Sequence, residues 1–298
     1  MERVDFGRCR IVGDDGSRHD ATVRGRVRDA RKALGNAVVV GDRVRLAWDA
    51  GRAVIEAVAP RRSAFSRRAA GARDEEQVVA ANLDQVVVVA SLRQPEFRPG
   101  LVDRVLVQSA RSALPALLVL NKTDLGAADE AAALLAEYAH AGIAGLATCA
   151  LSGRGVEALR EACRGRRTLF VGHSGVGKST LLGVLAPAEA PAAAEVNPVT
   201  GRGRHTTTAA RLLRPAPDLE LVDTPGVRAF ALWGVDAGGL VEYYPELRPF
   251  LGHCRFADCR HDREPGCALH AAAERGAIGP RRFASYLKLR DELEGGFH

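Results

Sequence analysis

Residues 172–179 read Gly172-His173-Ser174-Gly175-Val176-Gly177-Lys178-Ser179, a G-x-x-x-x-G-K-[ST] run. An apolar stretch, Thr168-Leu169-Phe170-Val171, leads into it, and a helical pattern opens behind it at Thr180-Leu181-Leu182. Strand, glycine loop and helix in that order make a phosphate cradle. The glycines let backbone N–H groups turn inward, and the helix N-terminus adds partial positive charge. On this reading Gly172, Ser174, Gly175, Val176, Gly177 and Thr180 line the nucleotide, Lys178 reaches the β- and γ-phosphates, and the Ser179 hydroxyl sits on Mg2+.

Working outward, Asp223-Thr224-Pro225-Gly226 closes an apolar run at Glu220-Leu221-Val222. A carboxylate there can hold Mg2+ directly or through water, and the Gly226 N–H can meet the γ-phosphate. Upstream, Asn121-Lys122-Thr123-Asp124 ends a second apolar run, Ala116-Leu117-Leu118-Val119-Leu120. The Asp124 carboxylate can accept from guanine N1–H and the 2-amino group. Adenine offers neither donor and would leave the carboxylate unpaired. Thr148-Cys149-Ala150-Leu151-Ser152-Gly153 ends a further strand, where backbone N–H at Cys149 and Ala150 suits the guanine carbonyl. These residues select GTP over ATP.

Their order is anomalous. Ras-like GTPases place the phosphate loop first, whereas here residues 121–124 precede residues 172–179, so a circularly permuted sheet is expected. Permutation is tolerable because native termini lie at the surface and often close together. Between the motifs runs Thr200-Gly201-Arg202-Gly203-Arg204-His205-Thr206-Thr207-Thr208. It suits a segment that closes on Mg2+ and the γ-phosphate, with Thr207 as the ligand; a surface loop with a hinge is the competing reading. Val227 follows Gly226 where Ras carries the glutamine that orients water, so the isolated enzyme should be slow. His205 is the candidate for positioning that water, which makes Lys178, His205 and Thr207 the candidate catalytic set.

The rest of the chain supplies the setting. Its 298 residues are 47% hydrophobic and 26% charged, as expected of a soluble globular protein of about two compact units with room for a small third. No apolar run approaches the roughly 20 residues a membrane span needs, and the opening Met1-Glu2-Arg3-Val4-Asp5 lacks a signal-like apolar stretch. A cytoplasmic monomer without membrane contact is expected, its six cysteines not forming a disulfide framework.

Charge is uneven: residues 1–70 hold 16 Arg or Lys against 9 Asp or Glu, and the remainder 26 against 27. An N-terminal surface facing a polyanion, most often nucleic acid, would explain it. A solvated face in an arginine-biased chain, with four lysines among 42 basic residues, would do so too. Residues 1–60 read as short strands, among them Ala37-Val38-Val39-Val40 and Ala53-Val54-Ile55-Glu56-Ala57-Val58, of a size for a five-stranded oligonucleotide-binding (OB) barrel. Residues 60–82 read as a polar, basic connector. Beyond 83, apolar runs alternate with helical segments near 101–112, 129–141 and 155–163, the pattern of an α/β fold with a parallel sheet covered on both faces. The expected division is a barrel at 1–70, a permuted P-loop domain at 71–237 (with the connector 71–82) and a helical unit at 238–298.

That last unit carries Cys254, Cys259, His261 and Cys267, three thiolates and an imidazole of the kind tetrahedral structural zinc prefers. So short a stretch could not bury enough apolar area to fold unaided. His253 and His270 are competing donors, and Cys9, Cys149 and Cys163 read as small hydrophobes. A basic helix starting at Pro280 could grip an RNA backbone or face solvent.

Taken together and in this order, these motifs resemble the ribosome small-subunit-dependent GTPase A family, the permuted bacterial ribosome-assembly GTPases. The resemblance spans nearly the whole chain, including Pro60-Arg61-Arg62-Ser63 and Leu232-Trp233-Gly234. It implies an OB-fold barrel, a permuted GTPase domain and a zinc-binding helical domain. It further implies binding to the 30S subunit and its 16S rRNA late in maturation, and hydrolysis of GTP to GDP and phosphate stimulated by that subunit. The family's catalytic histidine falls on His205 and its γ-phosphate-sensing threonine on Thr207. Cys149-Ala150-Leu151 departs from the usual Ser-Ala or Ser-Ser, a small effect where backbone N–H makes the contact. The competing functions are an rRNA-binding module that GTP merely stabilises and a permuted GTPase serving the large subunit.

Overall fold

The structure is a computed structural model that describes residues 1–5, 8–25, 27, 37–69, 75–189, 210–227, 230–262 and 264–295. Among these residues, eleven strands join in one sheet. The barrel contributes β1 (Arg3–Asp5), β2 (Arg8–Val12), β3 (Arg18–Val23), β4 (Val44–Asp49) and β5 (Arg52–Val58). Their spatial order is β1-β2-β3-β5-β4, with β3 and β5 parallel and the other pairs antiparallel, the Greek-key arrangement of an OB fold. Cys9, Ile11, Ala21, Val38, Ala53 and Ile55 fill its interior.

The connector of residues 60–82 is in fact a hairpin, β6 (Ala64–Arg68) against β7 (Glu76–Ala81). Its apolar positions are few, but Phe65, Ala80 and Ala81 are fully buried. Arg61 forms a paired hydrogen bond with the buried Asp42 carboxylate (2.7 and 2.9 Å), and Arg62 meets Asp84 at 2.6 Å. The basic residues therefore fasten this segment to both neighbours. Gly41, at φ 89°, lies so close to the Ala81 carbonyl that a Cβ would collide with it.

The P-loop domain is built on β8 (Gln85–Ser91), β9 (Ala116–Asn121), β10 (Ala144–Ala147), β11 (Arg166–Gly172), β12 (Arg211–Ala216) and β13 (Leu219–Asp223), in spatial order β10-β9-β8-β11-β13-β12. All pairs are parallel except β12 with β13. The strand leading to the phosphate loop, β11, thus lies in the middle of the sheet although three of its companions precede it in sequence: the permuted connectivity is real.

Alternate residues of β8 face opposite layers. Val86, Val88 and Ala90 pack with α1 (Pro99–Arg111) and α2 (Ala128–His140), while Val87 and Val89 pack with α3 (Val156–Cys163) and α4 (Lys178–Leu185). Such double burial is why these strands read as continuous apolar runs.

The C-terminal unit has 3-10 turns at Leu240–Tyr243 and Pro245–Phe250, then α5 (Ala268–Glu274) and α6 (Pro280–Glu294). Phe283, Tyr286 and Leu289 of α6 share the core of Val105 and Leu106 of α1. One face of this basic helix is therefore core. Arg282 is buried, with its guanidinium on Asp103 (2.6 Å) and Glu246 (2.7 Å) and over the Tyr244 ring (4.4 Å). A charge lost inside a run of basic residues looks like surface in sequence, but here two buried carboxylates claim it. Among the described residues no helix is long and apolar enough to cross a membrane.

Candidate functional site

The phosphate loop leaves β11 at Gly172 and enters α4 at Lys178. Gly175 and Gly177 take φ values of 88° and 87°, the left-handed region where only glycine is free of Cβ strain. Glycine is doubly required at 177, because a Cβ there would strike the Asn121 amide. Ser179 and Thr180 are exposed in the first helical turn, and Lys178 is buried with its ammonium on the buried Asp223 carboxylate. The turn after β13 packs on the loop. The Thr224 hydroxyl donates to the Phe170 carbonyl at 2.7 Å, and the Val227 N–H to the Gly172 carbonyl at 3.0 Å. A Cβ on Gly226 would lie 3.1 Å from the Ser174 Cα. Lys178, Ser179, Asp223 and Gly226 therefore converge.

The second cluster forms at the end of β9. The buried Asn121 side chain donates from Nδ2 to the Val176 carbonyl at 3.0 Å. Its Oδ1 accepts from the Ala150 N–H and the Thr148 hydroxyl, both at 3.2 Å. One amide thus ties the phosphate loop to the loop carrying Cys149 and Ala150. Lys122 adopts a left-handed backbone (φ 58°) and its ammonium donates to the Gln94 carbonyl. Asp124 is exposed, and a hydrogen bond from the Cys149 thiol, first among several contacts, holds its carboxyl below the usual range.

His205, Thr207 and the rest of the 201–208 motif lie outside the described residues. Sequence reasoning missed two residues beside these clusters, Gln94, whose carbonyl accepts from Lys122, and Arg98, which meets the phosphate loop. Arg98 Nη1 lies 3.1 Å from His173 Nε2. No local pattern marks Arg98, which merely precedes the Pro99 that opens α1.

A separate cluster brings Cys254, Cys259, His261 and Cys267 together, their donor atoms all within 4.8 Å of one another. The imidazole Nδ1 lies 3.4 Å from Cys254 Sγ and 3.6 Å from Cys267 Sγ, and the Ala268 N–H donates to Cys254 Sγ at 3.4 Å. His261 reaches this position through a left-handed backbone, φ 61°. Of the competing donors, His270 packs edge-on to Phe283 at 5.0 Å and His253 is exposed; neither is in the cluster. Three sulfurs and a nitrogen closing on one point suit a tetrahedral thiophilic cation with no open position.

A permuted parallel sheet with a glycine phosphate loop and an Asn-Lys-x-Asp corner defines a circularly permuted P-loop GTPase. The chain belongs to the RsgA GTPase family, whose pattern it matches over residues 58–233, and is a GTP-hydrolysing enzyme. It is 43% identical over 290 residues to a small ribosomal subunit biogenesis GTPase RsgA of Gemmatimonas aurantiaca, covering 96% of this chain and 94% of the relative. The RsgA of Azotobacter vinelandii is 44% identical over 256 residues, 84% of this chain and 73% of that one. Among solved structures, YjeQ from Thermotoga maritima superposes with a TM-score of 0.72 at 30% identity, covering 99% of this chain and 98% of that chain. YloQ, described as a circularly permuted GTPase, gives 0.68 at 21% identity over 99% and 94%, a likeness of fold.

Proposed function

We propose that this chain binds the small (30S) ribosomal subunit through 16S rRNA late in its maturation. There it hydrolyses GTP to GDP and phosphate, and hydrolysis triggers its release. The observation that carries this reading is the Asn121 amide. It joins the phosphate loop at Val176 to the base loop at Ala150, so both ends of a guanine nucleotide are gripped by parts that move together. The relatives are small ribosomal subunit biogenesis GTPases, which points to that subunit as the partner, and the basic surplus of the N-terminal barrel suits its RNA.

Gly172, Ser174, Gly175, Val176, Gly177 and Thr180 line the phosphates, and Lys178 neutralises charge on the β- and γ-oxygens. Asp124 accepts from the guanine edge, Lys122 covers the base, and backbone N–H at Cys149 and Ala150 meets its carbonyl. Ser179, Asp223 and Thr207 hold the Mg2+ that accompanies GTP. The fit is favourable, since Asp223 is a buried carboxylate whose ion-pair partner is Lys178, the residue a phosphate would draw away. Mg2+ supplies charge neutralisation on the phosphate oxygens. Gly226 N–H meets the γ-phosphate, and His205 positions the attacking water. Val227 cannot orient water, so the free protein is slow until the ribosomal subunit completes the site. Zinc in the Cys254, Cys259, His261 and Cys267 set is structural and folds the 238–298 unit, which with barrel 1–70 flanks the GTPase domain 71–237. The protein works in the cytoplasm as a monomer.

The test is GTP turnover at fixed salt, with and without purified 30S subunits and with 50S as control. Salt is fixed because phosphate contacts weaken steeply as it rises. Acceleration on the order of 10³-fold by 30S alone is the expected result. GTP-dependent binding without acceleration by either subunit would leave an rRNA-binding module that GTP merely stabilises, and acceleration by 50S alone would move the protein to the large subunit.

A further inference from the structure

The phosphate loop begins with a tight turn, His173-Ser174-Gly175-Val176, closed by the Val176 N–H on the His173 carbonyl at 3.4 Å. Gly175, third in the turn, has φ 88°, which makes this a type II turn. A type I turn would connect the same four residues with the central Ser174–Gly175 peptide rotated by about 180°. Glycine permits both forms, so the loop's own backbone does not choose between them. The choice matters because the C=O and N–H of one peptide point in opposite directions. Turning the Ser174 carbonyl over would take the Gly175 N–H from one face of the loop to the other.

A side chain within the turn makes that choice. His173 Nδ1 lies 2.6 Å from the Ser174 carbonyl oxygen. The carbonyl can only accept, so Nδ1 carries the proton. The other ring nitrogen, Nε2, faces Arg98 Nη1 at 3.1 Å. The guanidinium can only donate, so Nε2 is bare. Each partner fixes the same tautomer, Nδ1–H with Nε2 unprotonated. Arg98 is the residue immediately before α1, and His173 is also bridged through its backbone to Val227. The ring is therefore held by the residue that precedes α1, and the backbone that carries it by the segment following Gly226.

We propose that His173 is a positioning residue for GTP binding: its Nδ1–H pins the Ser174 carbonyl outward, which aims the Gly175 N–H at the nucleotide phosphates, and Arg98 enforces the tautomer that can do so. This rests on the reading that the loop holds GTP. It adds a side-chain lock to a loop otherwise shaped by glycines, and it gives Arg98 a role that works through histidine without contact with the nucleotide.

The test measures GDP and GTP dissociation constants for the full-length protein and for His173→Ala, His173→Gln, Arg98→Met and Lys178→Ala. It is paired with nitrogen-15 NMR of the His173 ring, which reads the tautomer directly. The expected result is about tenfold weaker binding of both nucleotides to His173→Ala, the scale of one lost hydrogen bond. Substantial rescue is expected in His173→Gln, which retains an N–H donor. Nitrogen-15 shifts should give Nδ1–H in the unaltered protein and a move toward Nε2–H in Arg98→Met. A ring protonated only at Nε2 in the unaltered protein, or a His173→Ala variant binding as tightly as the parent, overturns the proposal. Lys178→Ala separates the two readings. If it also leaves affinity intact, the nucleotide is not in this loop; if it weakens binding while His173→Ala does not, only the lock is refuted.

Discussion

Asp124 and Cys149 show how little of a binding site needs to be in place before its ligand arrives. The carboxylate is exposed, yet a thiol donor from the neighbouring loop already orients it and holds its pKa low. It therefore stays ionised through the mildly acidic range and remains an acceptor for the guanine edge. Replacing it reverses the hydrogen-bond polarity. Asp124→Asn presents a donor toward guanine N1–H, so GTP affinity should fall by about 10²-fold or more, while xanthosine triphosphate, with a carbonyl at C2, should bind better than GTP. Competition titration of the two nucleotides checks this. Residues of this kind were legible in the sequence because their chemistry dictates both type and spacing. Arg98 was not, since its contact with His173 spans 75 positions and leaves no local trace.

Elements were legible where one physical demand dominated the pattern. Strands β8, β9 and β11 are buried on both faces, so each had to be apolar throughout, and each sits within a residue or two of its expected place. The hairpin of β6 and β7 was not, because Arg67 and Arg68 pair with Gln77 and Glu76 across it and dilute the apolar signal of Phe65, Val78 and Ala80. The Cys254–Cys267 loop stands at the opposite extreme, with almost no core and a complete donor set. Atomic absorption should find one zinc per chain in the purified protein and none in Cys259→Ser. Chelation should unfold this loop to limited proteolysis. GDP affinity should change by less than about threefold, because the two sites share no residue and distant sites act independently.

At the scale of the whole molecule, the buried charges decide how the units hold together. Arg282 of α6 supplies one cation to two carboxylates, Asp103 of α1 and Glu246, and all three side chains are almost completely buried. Removing the cation strands both anions, so Arg282→Ala should cost about 3–5 kcal/mol in chemical denaturation. Burial, opposed by the guanidinium, raises the Asp103 carboxyl above its ordinary value. Between its ordinary value and the raised one, the folded state therefore holds a proton that the unfolded chain has released, and above that window Asp103 is the anion that Arg282 pairs. Stability falls as pH rises from the ordinary carboxylate value through the raised one, and Asp103→Asn should remove that slope. None of this was visible in sequence, where Arg282 stands in the run Pro280-Arg281-Arg282-Phe283 and resembles a solvated surface.

The seam between barrel and GTPase sheet has a further consequence. β12 is the outermost strand of the GTPase half, and β1 pairs with it at Arg3 and Arg211, with the Leu212 N–H on the Glu2 carbonyl at 2.8 Å. A bare strand margin is a template for unwanted pairing between chains, and the barrel is what covers this one. The barrel is thus also a guard against self-association. A chain relieved of it would present an open ladder of N–H and C=O groups, and its first failure would be clumping, ahead of any loss of chemistry.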